Sequence, residues 1–296
     1  MSKKMVFVFN PKSGKGLIRN KLADILDIFV KADYDVIARP TQRQGDAREF
    51  AARYANQVDL VVCSGGDGTL DEVVSGITDA GSSVPIGYIP SGSTNDFGSS
   101  ISMPKNMVEA ARMIANGRAF PCDIGSFNDE TFVYIAAFGM FTDVAYKTNQ
   151  KLKNTIGHLA YLLEAGKKIF EVPAYRMKIT AGEVVIEDEF AYGMVTNAIS
   201  VGGMKGITGK DIQMDDGLFE VTLIRAPKTP VEFSNAITSL LFGGSDEKML
   251  IKFKANEVCF EAETEVAWTM DGEAGGDHKR AVIKNRNKRM NFVRFD

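Results

Sequence analysis

Along the first 125 positions, short dense apolar runs alternate with stretches of helical spacing. The dense runs predict buried strands at residues 5–9, 34–38, 58–63 and 84–89. Between them, Leu22, Ile25, Leu26 and Phe29 recur at helical intervals and predict a helix over 17–32. Further helices are expected over 45–54, 69–77 and 107–116, the last stopped by Gly117. Strand and helix in strict alternation mean a parallel sheet flanked by helices.

The pattern changes after Pro121. Strands are expected at 132–138, 175–180, 183–189, 192–196, 219–224, 249–254, 257–263 and 266–270. Two helices interrupt them, over 149–170 and 231–241, and residues 289–295 form a last short strand. The fold class is therefore an α/β part followed by a β-rich part, divided near residue 125. No internal repeat or low-complexity segment interrupts this order.

Composition narrows the reading. The chain has 296 residues, 45% hydrophobic and 25% charged, which suits two domains or one large α/β unit. A formal charge of −3 argues against a nucleic-acid binder, which needs a basic excess. Cys63, Cys122 and Cys259 lie far apart, without the spacing of a disulfide framework or zinc site. The first apolar run is too short for a signal peptide, and no stretch is long enough for a spanning helix, so a cytoplasmic setting is expected. His158 is expected inside a helix, and His278 in a loop.

Three loops carry the chemistry. Ser64-Gly65-Gly66-Asp67-Gly68-Thr69 follows a strand and opens a helix, with Thr69 and Glu72 reading as a capping box. Free N–H groups and the helix dipole favour a phosphate there, and the glycines let backbone approach it. Asp67 beside a phosphate requires a cation or a transferable proton between them, as phosphoryl transfer does. Asn10-Pro11-Lys12-Ser13-Gly14-Lys15-Gly16 follows the first strand; it lacks the Walker A spacing but can still cradle phosphate. Pro90-Ser91-Gly92-Ser93-Thr94-Asn95-Asp96 follows the fourth. Open α/β sheets bind ligands at that edge. No GxGxxG is present, which disfavours a dinucleotide fingerprint.

These loops occur in series with Asp215-Asp-Gly-Leu218 and Trp268-Thr-Met-Asp-Gly-Glu273. Together they resemble the soluble bacterial diacylglycerol kinase family, relatives of sphingosine and ceramide kinases, over nearly the whole chain. The resemblance implies a three-layer NAD kinase/diacylglycerol kinase-like α/β nucleotide domain over 1–125, to which 288–296 return. It also implies a β-sandwich-like lipid-substrate domain over 126–287, with ATP in the cleft between the two. ATP would contact Asn10, Pro11, Lys12, Ser13, Gly14, Thr41, Gly66, Asp67, Gly68, Thr69, Leu70, Asp71, Glu72 and Thr94. Glu273 is favoured as the base that takes the lipid hydroxyl's proton, with Asp271 a close second. By residues alone, Asp271-Gly272 is equally a hairpin turn. Gln213, Asp216 and Leu218 would hold Mg²⁺ through hard oxygen ligands.

The activity implied is ATP-dependent phosphorylation of diacylglycerol to phosphatidic acid. Sphingoid or ceramide-type lipids, undecaprenol, NAD and a non-catalytic ATP-binding role are the alternatives. Ser93, Ser99-Ser100 and Tyr134 depart from residues frequent in the family, which bears on substrate preference. A lipid substrate means peripheral membrane contact; Lys15 and Lys147, Lys151, Lys153, Lys167 and Lys168, on or beside the 149–170 helix, are candidates for it, with the 240–245 loop a weaker one, while a core-packed helix with solvated lysines is the favoured reading of most of them. An edge strand in the β-rich part offers a surface for a homodimer.

Overall fold

The computed structural model describes residues 2–140, 142, 173–205, 207–209, 212–242 and 248–295. The expected helix over 149–170, its lysines and His158 lie outside those residues, as does part of the 240–245 loop. The chain forms two compact units, Met1–Ile124 with Arg286–Asp296, and Gly125–Asn285.

In the first unit, β1 (Lys3–Phe9), β2 (Tyr34–Pro40), β3 (Leu60–Gly65) and β4 (Ile86–Pro90) are parallel. The order is β2-β1-β3-β4, and the end of the last strand adds beside β4 through Phe292 and Ile86. Helices α1 (Ile18–Lys31), α2 (Asp46–Tyr54), α3 (Asp67–Asp79), α4 (Asp96–Ser100) and α5 (Met107–Asn116) connect them. From β1 the chain first steps outward to β2, then returns past β1 to β3. Right-handed crossovers therefore put α1 and α3 on opposite faces; α1 packs with α5, and α2 with α3. β3 and β4 are buried on both faces, which is why they read as unbroken apolar runs.

Local chemistry differs from expectation at α3. The helix starts at Asp67 rather than Thr69, and its N-cap is Gly66, so Thr69 and Glu72 form no capping box. Glu72 is recruited across to α2, where its carboxylate accepts from Gly45 N (2.8 Å) and Ala47 N (3.1 Å). Two orphan donors at a neighbouring helix start outcompete its own turn. Gly76 lets the helices approach this closely, since a Cβ there would lie 2.3 Å from Arg48 O. A strand unexpected from sequence, β5 (Arg118–Phe127), contains Pro121, which has no N–H to give a ladder.

The second unit is antiparallel. It contains β6 (Glu130–Phe132), β7 (Ile135–Gly139), β8 (Tyr175–Ala181), β9 (Val184–Thr196), β10 (Ser200–Val201), β11 (Met204–Lys205), β12 (Phe219–Arg225), β13 (Leu250–Ala255), β14 (Glu257–Met270) and β15 (Glu273–Arg294). Its main path runs β13-β12-β9-β7-β14-β15. β9 and β14 are each one strand where two were expected; a register shift between Glu261 and Val266 absorbs the polar break in β14. β15 also absorbs the Gly-Gly-Asp-His stretch read as a loop. Its charged positions pair with acids on β14, as in Arg280–Glu261 and Lys284–Glu257. His278 is thus a strand residue, edge-on to Phe127.

The core of this unit gathers Phe127, Phe138, Phe260 and Trp268, with ring centroids 4.8–5.9 Å apart for Trp268 on Phe138 and Phe138 on Phe260. The helix Pro230–Phe242 opens with a true capping box: Thr229 Oγ1 accepts Glu232 N, and Glu232 accepts Thr229 N, both at 3.2 Å. Among the described residues, no helix is long and apolar enough to cross a membrane.

Candidate functional site

The strand order places the reversal of the sheet between β1 and β3. Ligands of open α/β sheets bind outside the carboxyl ends of the strands at such a reversal. The loops after β1, β3 and β4 all emerge at that edge, and backbone hydrogen bonds tie them together. Asn10 N donates to Ser64 O (2.8 Å), and Ser91 N to Gly65 O (2.9 Å).

Close approach of the three loops depends on glycine. A Cβ on Gly14 would stand 2.4 Å from Ser91 O, and one on Gly92 would stand 2.4 Å from the Gly66 Cα. Gly14 also has φ +56°, which a β-carbon disfavours. Gly66 caps α3 without a side chain: its carbonyl accepts from Thr69 N and Leu70 N (both 3.1 Å), and no N-cap side chain covers the first turn. Backbone N–H groups, a helix N-terminus and no intruding Cβ suit a polyphosphate. Ser13 and Lys12 lie in the β1 loop, which Asn10 shapes by accepting from Lys12 N at 2.9 Å. Pro11 O holds Arg19 Nε at 3.1 Å, and Thr94 is exposed in the β4 loop.

Other expected contacts take different positions. Thr41 is buried, its N–H on Phe9 O, and it begins the loop that Asp46 closes. The Asp46 carboxylate accepts from Gln42 N (2.7 Å) and Arg43 N (3.0 Å), and these donors hold its carboxyl below the usual range. Leu70 is fully buried in the packing of α3, and Glu72 caps α2, so neither side chain points to a ligand at the loops. Asp67 accepts from Asp96 N (3.2 Å) and Phe97 N (3.3 Å), which fixes the start of α4 against the β3 turn. Asp71 is half-buried in α3.

Tyr88, to which the sequence assigns no role, lies beneath the loops and meets Asn95 of the β4 loop. Tyr88 is fully buried, and its hydroxyl reaches Gly65 O (3.2 Å) and Asn95 Oδ1 (3.4 Å). The available signal was a tyrosine inside an apolar strand, since buried tyrosine needs a hydrogen-bond partner.

In the second unit, Asp271 and Gly272 form a two-residue hairpin turn between β14 and β15. Their φ values are +50° and +86°, and Met270 pairs with Glu273; positive φ at both centres is the type I′ form. The Asp271 carboxylate, 5% exposed, accepts from Val133 N (2.5 Å), Tyr134 N (3.0 Å) and Ile135 N (3.0 Å). That is why residues 132–138 do not run as one strand: the N–H groups between β6 and β7 bond a carboxylate. Three donors occupy Asp271, whereas Glu273 is exposed on the first residue of β15.

Asp216 Oδ1 accepts from Leu218 N (3.0 Å), bringing two of the three expected Mg²⁺ ligands into one turn; Gln213 lies three residues upstream. Asp216 Oδ2, however, faces the Lys254 ammonium at 3.4 Å. Among the described residues, no three His, Cys, Asp or Glu side chains converge as a metal would need. The expected donor set is the Asp216 carboxylate with carbonyl oxygens of Gln213 and Leu218, and its one charged member already faces a cation.

Comparison with known proteins bears on the whole arrangement. The diacylglycerol kinase catalytic domain family matches residues 4–127. A diacylglycerol kinase of Bacillus subtilis (strain 168) is 32% identical over 277 residues, spanning 93% of this chain and 91% of its own. One from Staphylococcus epidermidis (strain RP62A) is 33% identical over 279 residues, spanning 93% and 87%. The crystal structure of a candidate diacylglycerol kinase from Bacillus anthracis str. Sterne covers 99% of this chain and 95% of its own, with a TM-score of 0.85 at 26% identity.

Proposed function

Because the chain belongs to the diacylglycerol kinase family, we propose that it transfers the γ-phosphate of ATP to the hydroxyl of diacylglycerol, giving phosphatidic acid. The observation that carries this reading is the meeting of three glycine loops at the sheet reversal, backbone against backbone. Phosphoryl transfer asks a protein mainly for positioning and charge stabilisation, and a cradle of N–H groups on a rigid sheet supplies both.

In this reading, N–H groups of the Asn10–Gly14 and Gly66–Gly68 loops hold the phosphates, Ser13 and Thr94 add hydroxyl donors, and Lys12 adds a cation. Mg²⁺ carried on the nucleotide would supply charge neutralisation at the phosphates. Asp67 positions α4 beside the cradle. Glu273 accepts the lipid hydroxyl proton as the oxygen bonds to the γ-phosphorus and the bond to the ADP oxygen breaks. Asp271 shapes the turn that presents Glu273; its three backbone donors favour that role over proton transfer. The acceptor lies in a bilayer, so the protein acts as a peripheral visitor to the cytoplasmic membrane surface.

Purified protein with γ-labelled ATP and Mg²⁺ is to be offered diacylglycerol, ceramide, sphingosine, undecaprenol and NAD in parallel. Label is expected in phosphatidic acid; transfer to NAD alone, or to no acceptor, overturns the proposal. Glu273→Gln is expected to lose turnover by about 100-fold or more while ATP binding persists.

A further inference from the structure

We propose that Tyr88 is a positioning residue for the nucleotide: its hydroxyl pins the β3 turn to the β4 loop so that both present backbone donors to the phosphates. The inference rests on the nucleotide reading above. The loops carry ligand-facing groups, but something must hold two separate segments in register beneath them. Asn95 sits at φ +56° and grips the β4 loop through its own amide, with Oδ1 accepting from Gly92 N (2.9 Å) and Nδ2 donating to Gly92 O (3.0 Å). Those two bonds fix which end of the amide is oxygen. The oxygen therefore faces Tyr88, and so does Gly65 O. A phenol has one proton to give, so it is shared between an acceptor on each loop.

The ring is part of the same device. A Cβ on Gly98 would lie 2.8 Å from Pro90 and 3.1 Å from the Tyr88 ring, so α4 rests directly on it. Burial, with the Asp67 and Asp96 charges, pushes the phenol well above its ordinary range, and it keeps its proton. Tyr88 is fully buried, so it acts through Gly65, Asn95 and α4.

The test compares wild type, Tyr88→Phe and a core control, Ile25→Ala, by binding of a fluorescent ATP analogue, thermal unfolding and steady-state kinetics. Tyr88→Phe keeps the ring and deletes the shared proton. Its affinity is expected to fall roughly three- to tenfold, with the KM for ATP rising in parallel and kcat within about twofold. Ile25→Ala, buried in α1, is expected to unfold earlier with unchanged affinity. Equal affinity for Tyr88→Phe and wild type overturns the positioning role. Failure of wild type to bind the analogue instead overturns the nucleotide reading on which it rests.

An independent observation concerns the Asp216 turn. Lys254 Nζ lies 3.0 Å from Glu220 Oε1 and 3.4 Å from Asp216 Oδ2. Glu220 is 7% exposed, and its Oε2 has no hydrogen-bond partner. We infer that in this chain the Lys254 ammonium is the cation that holds the turn, in place of a divalent ion. The two carboxylates share one resident positive charge, and a metal on Asp216 would stand beside it. Nucleotide-free, chelator-treated protein is to be unfolded with and without millimolar Mg²⁺. The wild-type midpoint is expected to stay within about 1 °C, and Lys254→Met to lower it in both conditions. A rise with Mg²⁺ in wild type that vanishes in Asp216→Asn overturns the inference.

Discussion

Two neighbouring carboxylates, Asp271 and Glu273, have similar motif context and opposite surroundings. Asp271 is buried and takes three backbone N–H groups. Removing it takes the carboxylate acceptor from these buried N–H groups, and a buried donor left unsatisfied costs about 1–3 kcal/mol. Asp271→Ala is therefore expected to lower the unfolding midpoint by several degrees, whereas Glu273→Gln leaves it within about 1 °C; differential scanning calorimetry distinguishes the two. A similar contrast applies to glycines. Gly92→Ala sets a methyl 2.4 Å from the Gly66 Cα. The loops must part, which costs about 1–3 kcal/mol, and ATP-analogue affinity is expected to fall roughly tenfold or more. Alanine at Gly81, where nothing lies within 4 Å, is expected to leave that affinity unchanged. From the sequence, Gly66 and Gly92 were legible as loop glycines, but which backbone each would face was not.

At the scale of elements, α2 is held by residues borrowed from elsewhere. Its first donors go to Glu72 of α3, and the loop before it closes on Asp46. Glu72→Ala should cost about 0.5–2 kcal/mol, the ordinary value of a lost cap. Asp46 carries a pH signature. Its folded-state pKa lies below the unfolded value because Gln42 N and Arg43 N donate to it. It therefore contributes stability above the ordinary Asp range, about 4, and loses it as pH falls through the lower folded-state value. The midpoint difference between wild type and Asp46→Ala should be largest near neutral pH and shrink through that acid window. The elements themselves were largely legible: β1 to β4 and α5 arise from apolar runs and spacing. The misses share a cause. β5 with its proline and β15 with Gly-Gly-Asp-His have poor strand composition, and only cross-strand partners make them strands.

For the whole molecule, thiol chemistry reports how the cores close. Cys63 and Cys122 are buried and Cys259 is half-buried. Burial pushes the Cys63 and Cys259 thiols up, which disfavours the reactive thiolate. The native protein is expected to titrate slowly at Cys259 alone with a thiol reagent, and all three cysteines to react at once in denaturant. Rapid reaction at Cys63 would mean that the β3 strand opens. The sequence by itself determined the fold class, the family and the three glycine loops, because apolar periodicity and glycine-marked turns are local properties of the chain. Only the tertiary structure decided that Glu72 caps another helix, that Asp271 is saturated by a backbone turn, that Lys254 faces Asp216, and that Tyr88 joins two loops. In each case a partner lies at least twenty residues away along the sequence. Which acceptor a buried polar group finds depends on what folding brings beside it.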